Sequence, residues 1–474
     1  MFVNDIVPPD IEPTNDKKMT ALRPPVPTPP KNIMSFISAF KSAQRDLLSV
    51  LPEVVYKTYM GKHRLGLRHV YIVNDPEMVR HVLADNVDNY PKSQQMYRAL
   101  TALVGDGIFI SNGATWKRQR KMIDPAFVNV RLRRAFPSMM QTVEDFIDRL
   151  KAIDPQSEMK IDEEMAHVTA DIIFRAIFSD KLTKEVSNAV FKAFADYQAT
   201  LPQLDFMEMI GMPDWFPRRS MHKTNLAGQK IRGVIRSLIE ARLNDQSGRQ
   251  YDDILQVLVD ARDEETGAGF ELEELVDHVG VLFLAGHETS ASTLTWAAYL
   301  IAQAPDIADR LTEEVDRVWT EPQLAYAQVP EMKLTRNVFR ETLRLYPPVS
   351  FITREAIAKD EMRGYAVKPG SMMVISPWII HRHEIYWERP GEFDPDRYAT
   401  PSGEASYRKS YVPFGMGARV CSGASFAMTE GTLILAALMR NFRLELLNPE
   451  EILPVCRLTT RPSVSPRFRI LPRN

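Results

Sequence analysis

From about residue 115 to residue 320, apolar side chains recur at three- and four-residue intervals, the period of a helix with one buried face. The pattern breaks near Pro125, near Pro155, across Gly211 to Pro217, and at Gly267 to Gly269. Residues 35–50 read as an amphipathic helix. The stretch HRLGLRHVYIVNDPEMVRHVLAD reads as a strand, a turn at Asn74-Asp75-Pro76, and a helix. Short Val-, Gly- and Pro-bearing runs over residues 350–400 and again over 440–470 predict small strands. The longest helical signal covers 271–304, which at 1.5 Å per residue spans about 50 Å. The sum is a mainly α fold: one large helical domain with a minor β-sheet portion, without internal repeat or long linker.

The N-terminal stretch departs from this pattern. Pro8, Pro9, Pro13, Pro24, Pro25, Pro27, Pro29 and Pro30 favour extended backbone, so residues 1–33 are expected to form an arm and residues 34–474 the folded domain. No apolar run there resembles a signal peptide or a membrane anchor, so a soluble cytoplasmic protein without transmembrane segment is expected.

Composition adds exclusions. The 474 residues are 45% hydrophobic and 25% charged, enough apolar material for a large core. A formal charge of −2 argues against nucleic acid as a partner. Two cysteines, Cys421 and Cys456, cannot build a disulfide framework.

Five short stretches carry candidate chemistry. In FGMGARVCSG, Cys421 lies two residues after Arg419 in a glycine-rich loop. Glu341 and Arg344 stand at i, i+3 on one helix face, and Arg397 of RPGEFDPDRY is a second cation available to Glu341. Trp116 and Arg120 stand at i, i+4, placing an indole N–H beside a guanidinium. In the middle of the longest helix, Ala285 and Gly286 are followed by Glu288 and Thr289. Small residues there also suit a close helix crossing.

In this order, the stretches resemble the cytochrome P-450 family of haem-thiolate monooxygenases. Phe414, Gly417, Arg419, Cys421 and Gly423 match its haem loop. Glu341 with Arg344, and Pro390, Phe393, Pro395 and Arg397, match two further motifs. Ala285, Gly286, Glu288 and Thr289 match the oxygen-activating segment, and Trp116 with Arg120 a fifth motif. The fixed positions of the haem loop alone should arise by chance in on the order of one in 10⁴ chains of this length. The resemblance runs from about residue 40 to the C-terminus.

The resemblance implies a P-450 fold around haem b (iron protoporphyrin IX), with Cys421 as the metal ligand. A thiolate on haem iron favours O–O cleavage, which explains the residue type. It implies cofactor contacts from Phe414, Gly415, Gly423, Ala285 and Gly286. Arg419, Trp116, Arg120 and Arg354 are implied as partners of the haem carboxylates. Thr289 and Glu288 are the implied catalytic pair, Thr289 bonding the Ala285 carbonyl and Glu288 feeding protons from outside; His287 is incidental. Glu341, Arg344 and Arg397 are implied as a structural ion network. Substrate contacts are expected from residues 90–109 and 197–217, from Val281, Leu282 and Ala285, from Val349 to Thr353, and near Leu453 to Cys456. The stretch 201–217 is apolar enough to line an access channel or touch lipid. Cys456 reads as structural.

The implied activity is insertion of one atom of dioxygen into a hydrophobic small molecule: a lipid, terpene, steroid, alkane or aromatic. The matched domain uses the whole length, so electrons are expected from a separate ferredoxin or flavodoxin with its reductase. Lys117, Arg118, Lys121, Arg408 and Lys409 are candidate docking cations. A monomer is expected. The alternatives are a peroxide-using or isomerising haem-thiolate enzyme, which the intact Glu288-Thr289 pair disfavours, and a non-catalytic haem sensor.

Overall fold

A single 32-residue helix sets the geometry of the molecule. It begins where Glu271 and Glu274 form a capping box, the Glu274 carboxylate accepting the Glu271 N–H at 3.0 Å, and it stops at Ala304, before Pro305 opens the next helix. Its C-terminal half is buried nearly all round, with Leu294, Trp296, Ala297, Ala298 and Leu300 supplying apolar surface. A helix of that kind can only be a core helix. Each fully buried leucine there contributes about 1.5–3 kcal/mol. Trp296 stacks on Tyr346 with ring centroids 3.8 Å apart.

The computed structural model describes residues 22–31, 45–65, 68–181 and 221–473, together with residues 38, 42, 43, 183, 193 and 197. Residues 1–21 of the expected arm, most of the helix expected over 35–50, and the stretch 201–217 lie outside the described residues. The helices in chain order are α1 (Pro76–Arg80), α2 (Gln94–Val104), α3 (Gly113–Ile123), α4 (Asn129–Lys151), α5 (Ile161–Phe178), α6 (Met221–Leu243) and α7 (Ile254–Asp260). The long helix is α8 (Leu272–Gln303), followed by α9 (Pro305–Val318), α10 (Lys333–Leu345), α11 (Pro377–Ile380), α12 (Pro401–Ser410) and α13 (Ala424–Asn441). α8 packs on α5, α6, α10 and α13.

The β portion is small. β1 (Met60–Leu65) and β2 (Arg68–Val73) form an antiparallel pair. β2 runs parallel to β7 (Met372–Ile375), which pairs antiparallel with β4 (Ile352–Glu355), giving the order β1-β2-β7-β4. Short antiparallel pairs are β5 (Asp360–Met362) with β6 (Tyr365–Val367), and β9 (Pro454–Cys456) with β10 (Thr460–Pro462). β3 (Met159–Lys160), β11 (Arg467–Pro472) and β8 (Phe442–Leu446) make a third sheet. One expectation is corrected here: HRLGLRHVYIV, read as part of one strand, contributes to two.

Residues 22–31 carry neither helix nor strand and lie against the body. The Leu22 and Pro25 carbonyls accept from the Phe393 N–H (2.9 Å) and the Tyr346 hydroxyl (2.8 Å), and Arg23 pairs with Glu392. No helix among the described residues is long and apolar enough to cross a membrane.

Candidate active site

The loop before α13 folds as its glycines require. Gly415 and Gly417 take φ of +74° and +70°, a region that favours glycine. At Gly417 the requirement is double, because a Cβ would lie 2.6 Å from the Leu83 carbonyl oxygen and 2.7 Å from the Ala84 Cα. At Gly415 a Cβ would meet nothing nearer than 3.9 Å. Replacing Gly417 with alanine is therefore expected to cost more stability than the same change at Gly415. The latter meets only the backbone penalty of about 1–2 kcal/mol. Denaturant unfolding of the two variants checks the order.

The loop places Cys421 three residues before α13, with its N–H donated to the Phe414 carbonyl at 2.9 Å. The thiol is not packed into the core but opens onto a cavity of about 1160 Å³. Burial pushes its pKa up, opposed by the Gly423 N–H and the Arg120 charge. Across the cavity runs α8, whose Val281, Leu282, Ala285, Gly286, Thr289, Ser290 and Thr293 form one lining stripe at helical spacing. Ala285 is exposed in mid-helix, and that exposure is to the cavity. Gly286 also serves the close helix crossing: a Cβ would sit 2.7 Å from Ile173 of α5.

The Thr289 hydroxyl donates to the Ala285 carbonyl at 2.7 Å, as its spacing implied. Glu288 turns away from the cavity. Its Oε1 accepts from Thr459 Oγ1 and Arg461 Nε, both at 2.7 Å, and Arg461 closes a second contact through its terminal nitrogen. Burial alone would raise the Glu288 pKa; the charges of Arg461 and His287 and these hydrogen bonds hold it below the usual value. Arg461 is 43% exposed, so the pair joins a buried carboxylate to the surface. His287 is buried, with Nδ1 3.2 Å from the Phe283 carbonyl, and is not among the lining residues.

The cavity wall has cations but, among the described residues, no Asp or Glu. Arg120 reaches the Val420 carbonyl at 2.8 Å and Asp124 behind the wall at 2.7 Å. The Arg419 guanidinium lies 4.7 Å above the Trp116 ring and donates to Asn112 Oδ1 at 2.9 Å. Arg354, on β4, bridges backbone to backbone with Lys92. Lys92 was not legible in the sequence as a site residue. Its ammonium is buried and donates to the Ile108 and Ser111 carbonyls at 2.6 and 3.1 Å. Burial, and then the charges of Arg419, Arg354 and Arg120, push its pKa down to about 6. Burial and Arg419 likewise bring Arg354 down to about 10. The Nε donors of Arg354 and Arg419 are buried and unbonded. Four clustered cations with unspent donors suit a ligand bearing two carboxylates, and an open thiol suits its metal. The donor set fits haem.

Behind this wall, Glu341 and Arg344 are wholly buried and Arg397 is 4% exposed. Arg344 bonds Glu341 through two nitrogens, each at 2.8 Å, and Arg397 Nε adds a third bond at 2.9 Å. The remaining guanidinium donors meet the carbonyls of His381, Glu388, Arg389, Pro390 and Glu392. Burial would raise the Glu341 pKa; the two guanidiniums bring it down to about 2. The network reaches the cysteine loop through His381. Its Nε2 accepts the Val412 N–H at 2.9 Å, so Nδ1 carries the proton that faces the Arg344 carbonyl at 3.2 Å.

The docking candidates stand among acids. Lys117 lies 3.3 Å from Asp88, Lys121 3.5 Å from Glu264, and the more buried Arg118 2.6 Å from Glu274. Arg408 pairs with Glu404. Of the expected substrate-contact regions, residues 92–109, the α8 stripe, Val349 to Thr353 and Cys456 supply lining residues.

The Cytochrome P450 family profile matches residues 27–465. Among relatives, "Cyclooctatin synthase" of Streptomyces melanosporofaciens is 33% identical over 397 residues, 82% of this chain and 84% of its own length. "Pentalenene oxygenase" of Streptomyces avermitilis is 28% identical over 414 residues, 87% of this chain and 90% of its own. In fold, the crystal structure of the cytochrome P450DA heme domain aligns with a TM-score of 0.78 at 21% identity, covering 95% of this chain and 98% of that one. A thiol and a dicarboxylate cradle facing one cavity, in a chain matched along most of its length, place this protein in the cytochrome P450 family of haem-binding monooxygenases.

Proposed function

We propose that this enzyme inserts one oxygen atom into an apolar, terpene-like ring compound, with haem b held by Cys421 and electrons delivered by a separate ferredoxin or flavodoxin. The observation that carries the substrate class is the cavity. At about 1160 Å³ it exceeds the roughly 300–1,000 Å³ of a single small-molecule site, leaving room for a macrocycle and an organic substrate. Away from the cationic cluster, Leu100, Ile108, Val281, Leu282, Val349 and Phe351 wall it with hydrocarbon. Relatives named for pentalenene and for cyclooctat-9-en-7-ol, an unsaturated hydrocarbon and an unsaturated alcohol by name, support the same class.

Bound haem supplies dioxygen binding and the redox chemistry. The chain's residues do the rest. Arg419, Arg354, Arg120 and Lys92 would hold the two carboxylates, and such anions would favour the charged form of Lys92 against its burial. Cys421 would ligate the haem iron as the thiolate, its negative charge favoured by the Gly423 N–H and the start of α13. Thr289 keeps a hydroxyl in the cavity wall, anchored on the Ala285 carbonyl, where a proton can be held at Oγ1. Glu288 refills that position from solvent when Arg461 moves off it, an acid–base step between surface and interior. The apolar wall keeps bulk water from the reacting carbon.

The test is a panel of terpenes titrated against the haem-loaded chain. Ring terpenes are expected to shift the ferric spin state and to yield oxygenated product with ferredoxin and reductase. No shift with any apolar ring compound, or turnover with peroxide alone and none with reductase, overturns the reading.

A further inference from the structure

The short turn between β9 and β10 is fixed at both ends and borders the cavity between them. At one end the Cys456 N–H donates to Asp46 Oδ1 at 2.8 Å, and the Cys456 carbonyl accepts the Leu47 N–H at 3.2 Å. At the other, the Thr460 N–H donates to the Pro348 carbonyl at 3.0 Å. The Thr460 carbonyl accepts from Ser292 Oγ (2.6 Å) and Trp296 Nε1 (3.2 Å) of α8. Arg457, Leu458 and Thr459 lie between these anchors. Leu458 lines the cavity and packs on the apolar cluster that includes Leu100, Ile173 and Val281. Among the described residues, the side-chain hydrogen bond that ties this turn to α8 is that of the Thr459 hydroxyl, donated to Glu288 Oε1 at 2.7 Å. Arg461 Nε reaches the same Oε1 at 2.7 Å and the Thr459 oxygen at 3.1 Å.

We propose that Thr459 is a positioning residue for substrate selectivity: its hydroxyl, anchored on Glu288, seats Leu458 in the wall that shapes the substrate site. The inference rests on the monooxygenase reading and gives Glu288 a task separate from proton supply. Its two partners then divide the work. Arg461, half-exposed, is the one that can swing into solvent and free the carboxylate. Thr459, buried and one residue from Leu458, stays in place, so the wall keeps its shape while the proton moves. A hydroxyl can do this because it donates to a carboxylate and bonds the protonated carboxyl group equally well. Hydrogen bonds to an ionised acceptor are also the strong ones, which suits a turn with one such tie to α8. An apolar substrate offers few directional contacts, so the shape of the wall decides which of its carbons is presented for oxygenation. A small displacement of Leu458 is enough to matter, since one methylene of misfit in an apolar pocket is worth about 10–200-fold.

The test uses the haem-loaded chain. Thr459→Val keeps the shape of the side chain and removes the hydrogen bond, and Thr459→Ser restores it. Glu288→Gln keeps an acceptor for Thr459 while removing the acid. Two readouts are taken. One is the affinity for phenylimidazole relative to imidazole, from the Soret shift on ligation, which needs no turnover. The other is the distribution of oxygenated products from a ring terpene. In Thr459→Val, Leu458 is free to withdraw, so the relative affinity for phenylimidazole should rise on the order of 10-fold, the lower end of a methylene-sized misfit. The products should spread over more positions. Leu458→Ala should shift both readouts the same way, and Thr459→Ser should return both to wild type. Glu288→Gln should keep the wild-type affinity ratio and product pattern while its turnover falls. The thiolate band of the carbon-monoxide complex should persist in all of these variants. A wild-type ratio and pattern in Thr459→Val, or the same change in Glu288→Gln, overturns the proposal. If Thr459→Val does not hold haem, Glu288→Ala, which removes the acceptor instead of the donor, must show the shift that Glu288→Gln lacks; its absence overturns the proposal equally. Loss of oxygenation in the wild type itself would strike the monooxygenase reading, and the imidazole ratio then decides this inference alone.

Discussion

Replacing Cys421 with alanine is expected to remove the red-shifted Soret band of the reduced carbon-monoxide complex and to bring oxygenation below detection. The loop around it is otherwise spared: the Cys421 N–H, which donates to the Phe414 carbonyl, survives the change, and Gly415 and Gly417 keep the backbone turned. Loss of function would then report ligation rather than folding. Cys456, the other thiol, supplies the control. It also borders the cavity, yet burial pushes its pKa up to about 12, and its sulfur reaches the Arg457 carbonyl at 3.7 Å. A thiol held so firmly neutral is a poor metal ligand. Cys456→Ala should keep the thiolate band. Normal oxygenation in Cys421→Ala would sink the assignment of the site.

The second large effect is expected at Glu341, which is not among the residues lining the cavity. Glu341→Gln keeps the shape of the side chain but leaves Arg344 and Arg397 buried without a counter-charge. Breaking such a pair costs about 3–5 kcal/mol. The loss should pass along His381 and Val412 to the cysteine loop, so haem should dissociate at a lower denaturant concentration. The pH dependence follows with a definite sign. A carboxylate whose pKa falls from 4.5 to about 2 on folding contributes fully above pH 4.5, and that contribution is lost as pH falls toward 2. Wild type and variant should therefore converge in acid. An unchanged unfolding midpoint at neutral pH would show that the buried network is dispensable.

The sequence carries the large helices well because their signals are local. The pattern predicts α8 over 271–304 and the helix runs from Leu272 to Gln303, started by a capping box and stopped before Pro305, signals that need no tertiary information. β1 and β2 merged in the sequence reading although Gly66-Leu67 between them has the glycine-first form of a tight hairpin. The motif residues of the site were legible as motifs, but Lys92 was not. A lone lysine in YPKS gains meaning only when α3, β4 and the cysteine loop bring three arginines to it. The same holds for Arg461, whose partner Glu288 is 173 positions away.

The stretch at 22–31 has a consequence for how the chain is built. Its contacts bridge very long sequence separations: 321 residues from Pro25 to Tyr346, and 369 from Arg23 to Glu392. During synthesis, therefore, this segment is made more than 300 residues before its partners exist. Closing a loop of that length offers no early entropic return, so these contacts form after the helical body has condensed. Four of the five carbonyls that receive Arg344 and Arg397 belong to residues 388–392, beside the Glu392 and Phe393 that hold residues 22 and 23, so this early segment is fixed in place only when the last third of the chain has folded.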